Sequence, residues 1–207
     1  MIRKLKAAVI AASLSLYIAT VSVAFADPLV DAAAAYSIGE FKKAARLYRP
    51  LAEAGNSIAQ KRLGFMYAKG QGVPLDFTGS LAWYWLAADK GDAEAMHEIG
   101  RLYTWHYEHP RNMNLAVKWT RRAAANNFVP AQEAMGDFYE EGWVGAPDYV
   151  RSYMWKTIAV ANVKSASIKK LYTGWLVGLT SKMTPEQIAK GQALAAQCAA
   201  SNYKNCD

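Results

Sequence analysis

The apolar and polar positions of this chain recur with a period of 36 residues. The segment Leu63–Tyr67 has counterparts at Ile99–Tyr103 and Met135–Tyr139, without a gap between the steps. A fixed period of this length is typical of solenoid proteins, in which each repeat is a small unit that buries its apolar face against its neighbours. Other columns keep the same step, namely Trp83, Trp119 and Trp155, then Ala52, Ala88 and Ala124, then Ala59, Ala95 and Ala131.

The first half of each unit predicts a helix, called helix A here, because its apolar residues fall at helical spacing. Asp76, Asn112 and Asp148 precede three of its four copies, and their side-chain oxygens can accept hydrogen bonds from the first free amides of a helix. Gly55 and Gly91 follow two copies and can adopt the left-handed conformation that ends a helix. The predicted copies cover residues 41–53, 77–90, 113–126 and 149–161.

The second half of each unit predicts helix B, which begins near residues 57, 93 and 129. Each of these copies contains an internal glycine, although a mid-helix glycine costs about 1 kcal/mol relative to alanine. We therefore expect the glycine to leave room for a large side chain, and the tryptophan column of helix A is the predicted partner. The glycines are Gly64, Gly100 and Gly136.

The two ends of the chain depart from the repeat. In the fourth helix B, predicted over about 164–179, Tyr172 replaces the glycine, but an apolar stripe that includes Trp175 predicts a buried capping helix. Thr184 and Gln187 form a capping box at the start of a last helix. The expected organisation is a signal peptide at 1–26, a capping helix at 27–39, repeats at 40–161, a degenerate helix at 162–182, and a last helix with a tail at 183–207.

Residues 1–26 have the three parts of a secretory signal peptide. A basic start is followed by an apolar run, shorter than the roughly 20 residues of a membrane span, and by small residues before a cut after Ala26. The sequence therefore predicts export to the periplasm or beyond, with no membrane span after cleavage. The 207-residue chain has 24 basic and 17 acidic residues, and without the leader 21 basic residues remain, which is too mild an excess to indicate nucleic-acid binding.

Three segments carry a family resemblance: Gly70–Asp76, Ala82–Tyr84 and Gly91–Ala95. They resemble the Sel-one-like repeat, a branch of the tetratricopeptide-like solenoids, over about residues 36–161. The resemblance implies an all-α, right-handed superhelix of helix-turn-helix repeats that binds proteins without catalysis. For a secreted bacterial member it implies a scaffold in the cell envelope. Two alternatives stay open: an enzyme acting on β-lactams or peptidoglycan, as in a cysteine-rich branch, and a binder of anionic envelope glycan.

A candidate binding surface follows one face of successive A helices. Positions that are three or four residues apart share a helix face, and in the first and third repeats this face is largely basic. In the second repeat a tryptophan stands there, and tryptophan and arginine are enriched in binding hot spots. A second tryptophan in an otherwise polar column, Trp105, is a further candidate. We name this basic face with its tryptophan the ridge: Lys42, Arg46, Arg49, Trp85, Lys118 and Arg121.

Other candidate chemistry is weak. Ser167 and Lys170 have the S-x-x-K spacing of penicillin-interacting enzymes, but the companion motifs are missing. His106 and His109, with Glu108 between them, offer too few ligands for a predicted zinc site. Glu140–Glu141 is interpreted as a solvated helix end. We therefore predict no catalytic residue, metal or cofactor, and one disulfide between Cys198 and Cys206, which an oxidising compartment favours.

Overall fold

The structure, a computed structural model, describes residues 27–105 and 111–206, with only the backbone of Trp105 included. The predicted signal peptide and the histidine-bearing turn at 106–110 lie outside the described residues. Within those ranges the chain forms ten α-helices and no strand. They are α1 (Pro28–Ser37), α2 (Phe41–Glu53), α3 (Ser57–Lys69), α4 (Phe77–Asp89), α5 (Ala93–Trp105), α6 (Met113–Ala125), α7 (Val129–Glu140), α8 (Tyr149–Asn162), α9 (Ala166–Thr180) and α10 (Pro185–Ala200).

The repeat pattern correctly predicted the helices and their ends. The four A helices are α2, α4, α6 and α8, and their bounds lie within one residue of the predicted ones. The Asp76 carboxylate accepts a hydrogen bond from the backbone amide of Gly79 at 3.0 Å, and Asn112 and Asp148 cap α6 and α8 in the same way. Gly55 ends α2 with a φ of 91°, which a residue with a Cβ rarely adopts.

The helices stack as an all-α solenoid. The first three B helices are α3, α5 and α7, and each packs against the A helix of its own unit and, more extensively, against the A helix of the next unit. The buried residues form two apolar clusters, one around Tyr48 and Leu63 in the first unit and a larger one around Ile99, Met135 and Trp155. Among the described helices, none is long and apolar enough to cross a membrane.

The glycine column does face a close neighbour, but the predicted partner is wrong. A Cβ on Gly64 would lie 3.0 Å from ring carbons of Tyr84, and one on Gly136 would lie 2.6 Å from Cγ of Lys156. These neighbours stand one position after the tryptophan column, which is a rotation of about 100° around the helix. Trp119 and Trp155 are buried as predicted, whereas Trp83 is only partly buried.

The last two helices break the regular stacking. Helix α10 packs on α8, and a Cβ on Gly191 would lie 2.7 Å from the ring of Tyr153, so the two helices approach closely. Helix α9 contacts α8 less extensively, and Leu179 is its one buried residue. The prediction of a buried α9 stripe is wrong for Ile168, Leu171 and Trp175, of which Trp175 is 44% exposed, and is confirmed for Leu179 alone.

The C-terminal tail folds back onto the solenoid. Cys198 is buried in α10, and its Cα lies 4.7 Å from the Cα of Cys206, in the geometry of a disulfide. The Tyr203 hydroxyl donates a hydrogen bond to the side-chain oxygen of Asn162 in α8 at 3.0 Å. The tail is thus positioned both by the cysteine pair and by a contact with the fourth repeat.

Candidate functional site

The structure places the ridge on the surface of three successive A helices. Lys42, Arg46 and Arg49 are exposed on α2, and Lys118 is exposed on α6. Arg121 is more enclosed than the sequence pattern predicted, with an intermediate exposure. Arg49, Trp85 and Arg121 occupy equivalent positions of the three repeats, so the basic groups of the ridge lie on the A helices before and after the tryptophan of the second repeat.

Trp85 is the large aromatic side chain at the centre of the ridge, and it is 51% exposed. Its ring lies against Trp119 of the next A helix, with the ring centroids 5.2 Å apart. The guanidinium of Arg122 lies 4.5 Å from the centroid of Trp119 and so adds a cation–π contact to this pair. One face of Trp85 is thus held in place while about half of its surface remains available.

Two tyrosines of the B helices hold ridge arginines. Arg49 donates a hydrogen bond to the hydroxyl of Tyr67 at 2.8 Å. In the third repeat the same pair recurs, with Arg121 donating to the hydroxyl of Tyr139 at 3.5 Å. Both pairs join helix A to helix B of one unit with the same separation of 18 residues. The recurrence of an arginine and a tyrosine 18 residues apart could have predicted these hydrogen bonds from the sequence.

The ridge ends at the fourth repeat, because α10 lies over the equivalent face of α8. The Tyr153 hydroxyl accepts a hydrogen bond from Gln192 of α10 at 3.4 Å. Thr157, which occupies the column of Arg49 and Trp85, lines a small cavity shared with α10. The ridge positions that remain open to a partner therefore come from the first three repeats.

The remaining sequence candidates do not form a second site of the predicted kind. The side chain of Trp105 lies outside the described part of the chain, as do His106, Glu108 and His109. The hydroxyl of Ser167 lies 2.9 Å from that of Ser165, and both Ser167 and Lys170 are exposed on α9. In the described ranges, no group of three or more acidic, histidine or cysteine side chains is arranged to hold a metal ion.

The structure does reveal an ion-pair network that sequence reasoning missed. Lys156 of α8 reaches Asp137 at 2.7 Å and Glu140 at 3.0 Å, and Lys182 reaches Glu140 at 2.8 Å. The interpretation of Glu140 as part of a solvated helix end is therefore wrong. One feature of the sequence could have indicated this network. Lys156 is charged, whereas the equivalent positions of the other repeats hold Tyr48, Tyr84 and Thr120.

The pKa values of Glu133, which lies beside this network, and of Glu140, which belongs to it, are shifted in opposite directions. Burial and the nearby charge of Asp137 together raise the pKa of Glu133 to about 7. Burial would also raise the pKa of Glu140, but hydrogen bonds from Lys182 and Lys156 outweigh burial and lower that pKa. Glu133 is therefore the carboxyl in this region whose charge is least well compensated.

Comparisons with known proteins agree with this architecture. Over 96 residues the chain is 32% identical to DAP3-binding cell death enhancer 1 of Rattus norvegicus. This alignment covers 46% of this chain and 18% of that protein. Over 112 residues it is 31% identical to chitin synthase regulatory factor 3 of Schizosaccharomyces pombe, covering 53% of this chain and 12% of that protein. The chain thus spans less than a fifth of the length of either relative.

A solved structure shows the same fold. The crystal structure of a Sel1 repeat protein from Oxalobacter formigenes superposes with a TM-score of 0.59, at 21% identity, over 83% of this chain and 88% of that one. The Sel1 repeat model matches residues 38–56, 57–92, 93–128 and 129–159, which is more than half of the sequence. The first match covers α2, and each of the other three covers one B helix and the A helix that packs on it, so the chain belongs to the Sel1 repeat family.

Proposed function

We propose that this protein is an exported, non-catalytic scaffold of the bacterial envelope that holds a partner protein on its ridge. Sel1 repeats are protein-interaction modules, and a stack of them presents an extended surface. The observation that carries the proposal is Trp85, which is 51% exposed at the centre of a basic column and rests on Trp119. A partially held tryptophan loses little conformational freedom on binding, which is typical of a hot-spot residue.

The charges of the ridge define the chemistry of this partner. Lys42, Arg46 and Arg49 stand on one side of Trp85, and Lys118 and Arg121 stand on the other. A partner that fits this surface has an apolar pocket or patch for the tryptophan ring and acidic side chains around it. Basic groups at the rim mainly raise the association rate and exclude partners of like charge.

The proposed export is supported by the position of the N-cap of α1 relative to the predicted cut. The side chain of Asp27 accepts a hydrogen bond from the backbone amide of Leu29 at 2.9 Å and so caps α1. A cut after Ala26 would release a chain whose first residue is this N-cap, with no loss of the described fold. The periplasm or the cell exterior is then the proposed location, and either would allow the cysteine pair to oxidise.

Site-specific photo-crosslinking tests the proposal. A photoreactive amino acid at position 85 in intact cells is expected to capture one envelope protein, which mass spectrometry identifies. The matched control is position 58, because Ile58 is 52% exposed but lies on helix α3, away from the ridge. Equal capture from both positions, or capture of envelope glycan instead of a protein from position 85, would contradict the proposal.

A further inference from the structure

A second surface lies at the other end of the solenoid, where α9 diverges from its neighbours. A cleft of about 650 Å³ opens between α7, α8 and α9. One wall is the acidic face of α7, the other is a face of α9, and Lys156 lies between them. No ridge residue contributes to the cleft, so any ligand held there is bound independently of the ridge.

The α7 wall has more negative than positive charge. Glu133, Asp137 and Glu140 share a helix face, and Glu141 follows the helix end, so four carboxyl groups line the cleft. Two ammonium groups face them, those of Lys156 and Lys182, and both already contact Glu140. The raised pKa of Glu133 has the same origin, since burial and the charge of Asp137 disfavour its ionised form.

The α9 wall is apolar and unusually open. Trp175 is 44% exposed and stacks on Tyr172 with a centroid distance of 5.2 Å, and Leu179 lies at its base. Gly174 and Gly178 lie one turn apart in the cleft, and a Cβ at either would meet no atom within 4 Å. The glycines inside the stacked helices differ, because each of those accommodates a neighbouring side chain or backbone.

The two open glycines reduce the stability of α9 without serving any contact in the described chain. Each costs about 1 kcal/mol relative to alanine inside a helix. What they provide is space along the α9 wall, where another backbone can approach closely. The cleft thus combines three features of a peptide-binding groove: an aromatic ring, two positions without side chains at Gly174 and Gly178, and charges of one predominant sign.

We propose that this cleft binds a segment of a partner protein in which lysine or arginine alternates with apolar side chains. The cationic groups would pair with Glu133 and Glu141, and the apolar groups would pack on Trp175 and Leu179. The backbone of the segment would pass over Gly174 and Gly178. Charge complementarity selects this occupant, because an acidic segment would be repelled by the α7 wall and a purely apolar one would leave Glu133 uncompensated.

An array of synthetic peptides tests this inference. In one set, Lys or Arg alternates with Leu, Phe or Trp, and in the matched set Glu replaces every Lys and Arg. Fluorescence anisotropy with the purified exported protein is expected to detect binding of the basic set alone. The affinity should fall as salt rises, because the screening length shortens to ~3 Å at about 1 M.

Variants locate the bound peptide. Gly178→Leu fills the cleft and should weaken binding at least about tenfold, the loss expected when a hot-spot contact is blocked. Thr173→Leu is the matched control, because Thr173 is exposed on α9 but does not line the cleft. Glu133→Gln combined with Glu141→Gln should also weaken binding about tenfold and reduce its salt dependence. Circular dichroism should show folded variants with unchanged helix content.

Four outcomes would overturn the inference. The first two are that no peptide of the basic set binds, and that the acidic set binds as tightly. The third is that Thr173→Leu weakens binding as much as Gly178→Leu does. The fourth is self-association that Gly178→Leu abolishes in analytical ultracentrifugation, which would identify a second copy as the occupant. Trp85→Ala separates the two surfaces, since it should leave peptide binding in the cleft unchanged even if the ridge binds nothing.

Discussion

Tyr84 lies directly against the backbone of Gly64, so that a Cβ at position 64 would come within 3.0 Å of three carbons of its ring. The Tyr84 side chain is buried, and burial raises the pKa of its hydroxyl far above the ordinary value. The Ser80 hydroxyl donates a hydrogen bond to the Gly64 carbonyl oxygen at 2.7 Å. Helix B of one unit and helix A of the next are thereby joined at a glycine.

Gly64→Ala should therefore destabilise the protein, because the new methyl group overpacks a buried ring. We expect the free energy of unfolding to fall by about 1–3 kcal/mol, measured by urea denaturation. Gly174→Ala is the matched control, since a Cβ there meets nothing within 4 Å. It should raise the free energy of unfolding by up to about 1 kcal/mol through helix propensity alone. If the two substitutions change stability in the same direction, the close packing at Gly64 is not limiting.

The raised pKa of Glu133 makes stability depend on pH. Its pKa is about 7 in the folded protein and 4.5 as the reference value, so between these pH values the folded state binds more protons. The free energy of unfolding contributed by Glu133 is therefore lost as pH rises through this window. Glu133→Gln removes the effect and should be more stable than the native protein above pH 7, by on the order of 1–3 kcal/mol.

Urea denaturation of both proteins at several pH values from about 4.5 to 8 measures this difference. Asp137, Glu140 and Lys156 act on Glu133, and Tyr172 is the titratable group of α9 that senses it. The pKa values of Glu140 and Asp148 are lowered in the folded protein, so the stability that these groups contribute is lost as pH falls. This loss occurs in both proteins and does not affect the difference between them. A difference between the two proteins that stays constant over the whole range would show that the pKa of Glu133 is the same in the folded and unfolded states.

Reduction of the cysteine pair should lower stability. Cys198 and Cys206 are eight residues apart, and closing a loop of this size stabilises a protein by roughly 2 to 3 kcal/mol in the chain-entropy model. Thermal unfolding with and without a reductant is expected to show a lower midpoint in the reduced protein. The control is Cys206→Ser, which should have the same midpoint with and without reductant. Two thiols that react without any reductant in the native protein would contradict the prediction.

The exported protein should begin at Asp27. A signal peptidase cut after Ala26 follows from the small residues at positions 24 and 26, and it leaves the N-cap of α1 intact. Intact mass and N-terminal sequencing of protein from a periplasmic extract measure this directly. Ala26→Asp is the matched variant, because a charged residue before the cut should leave the precursor unprocessed. Retention of Met1 in the native protein would contradict the export proposal.

The helices were predictable from the sequence because the same residue types recur at equivalent positions of several repeats. A single glycine or tryptophan is ambiguous, but Gly64, Gly100 and Gly136 recur with the same step and must serve the same contact. The side chain that packs against each of these glycines was not predictable in the same way. Trp83 and Tyr84 are adjacent and both aromatic, and choosing between them requires the angle at which two helices cross.

The cleft between α7, α8 and α9 could not be predicted from the sequence, for a different physical reason. The stripe of α9 repeats at helical spacing, and such a pattern predicts an apolar face without showing whether another element covers it. Trp175 is exposed because α10 packs on α8 and bypasses α9. Lys156 and Glu140 are 16 positions apart in the chain, and their contact depends on α8 crossing α7 at Gly136. No sister repeat carries an equivalent pair that could have indicated it.

Trp85→Ala separates packing from binding on the ridge. Among the described side chains its ring makes one aromatic contact, to Trp119, so we expect the free energy of unfolding to fall by only about 1 kcal/mol. Trp119→Ala is the control for packing, because Trp119 is buried and its truncation should cost roughly 3 to 5 kcal/mol. The affinity for the partner captured by crosslinking should nevertheless fall by about 2 kcal/mol or more in Trp85→Ala, as for a hot-spot aromatic.

Arg49→Ala should affect the same interaction in another way. It removes a rim charge together with the hydrogen bond to Tyr67, so the association rate should fall while the dissociation rate changes little. Because exposed charges are screened, this loss should shrink as the ionic strength approaches about 1 M, whereas the loss in Trp85→Ala should persist. Surface plasmon resonance at low and high salt distinguishes the two. If Trp85→Ala unfolds the protein while each folded molecule binds as before, Trp85 serves packing between repeats and the partner binds elsewhere.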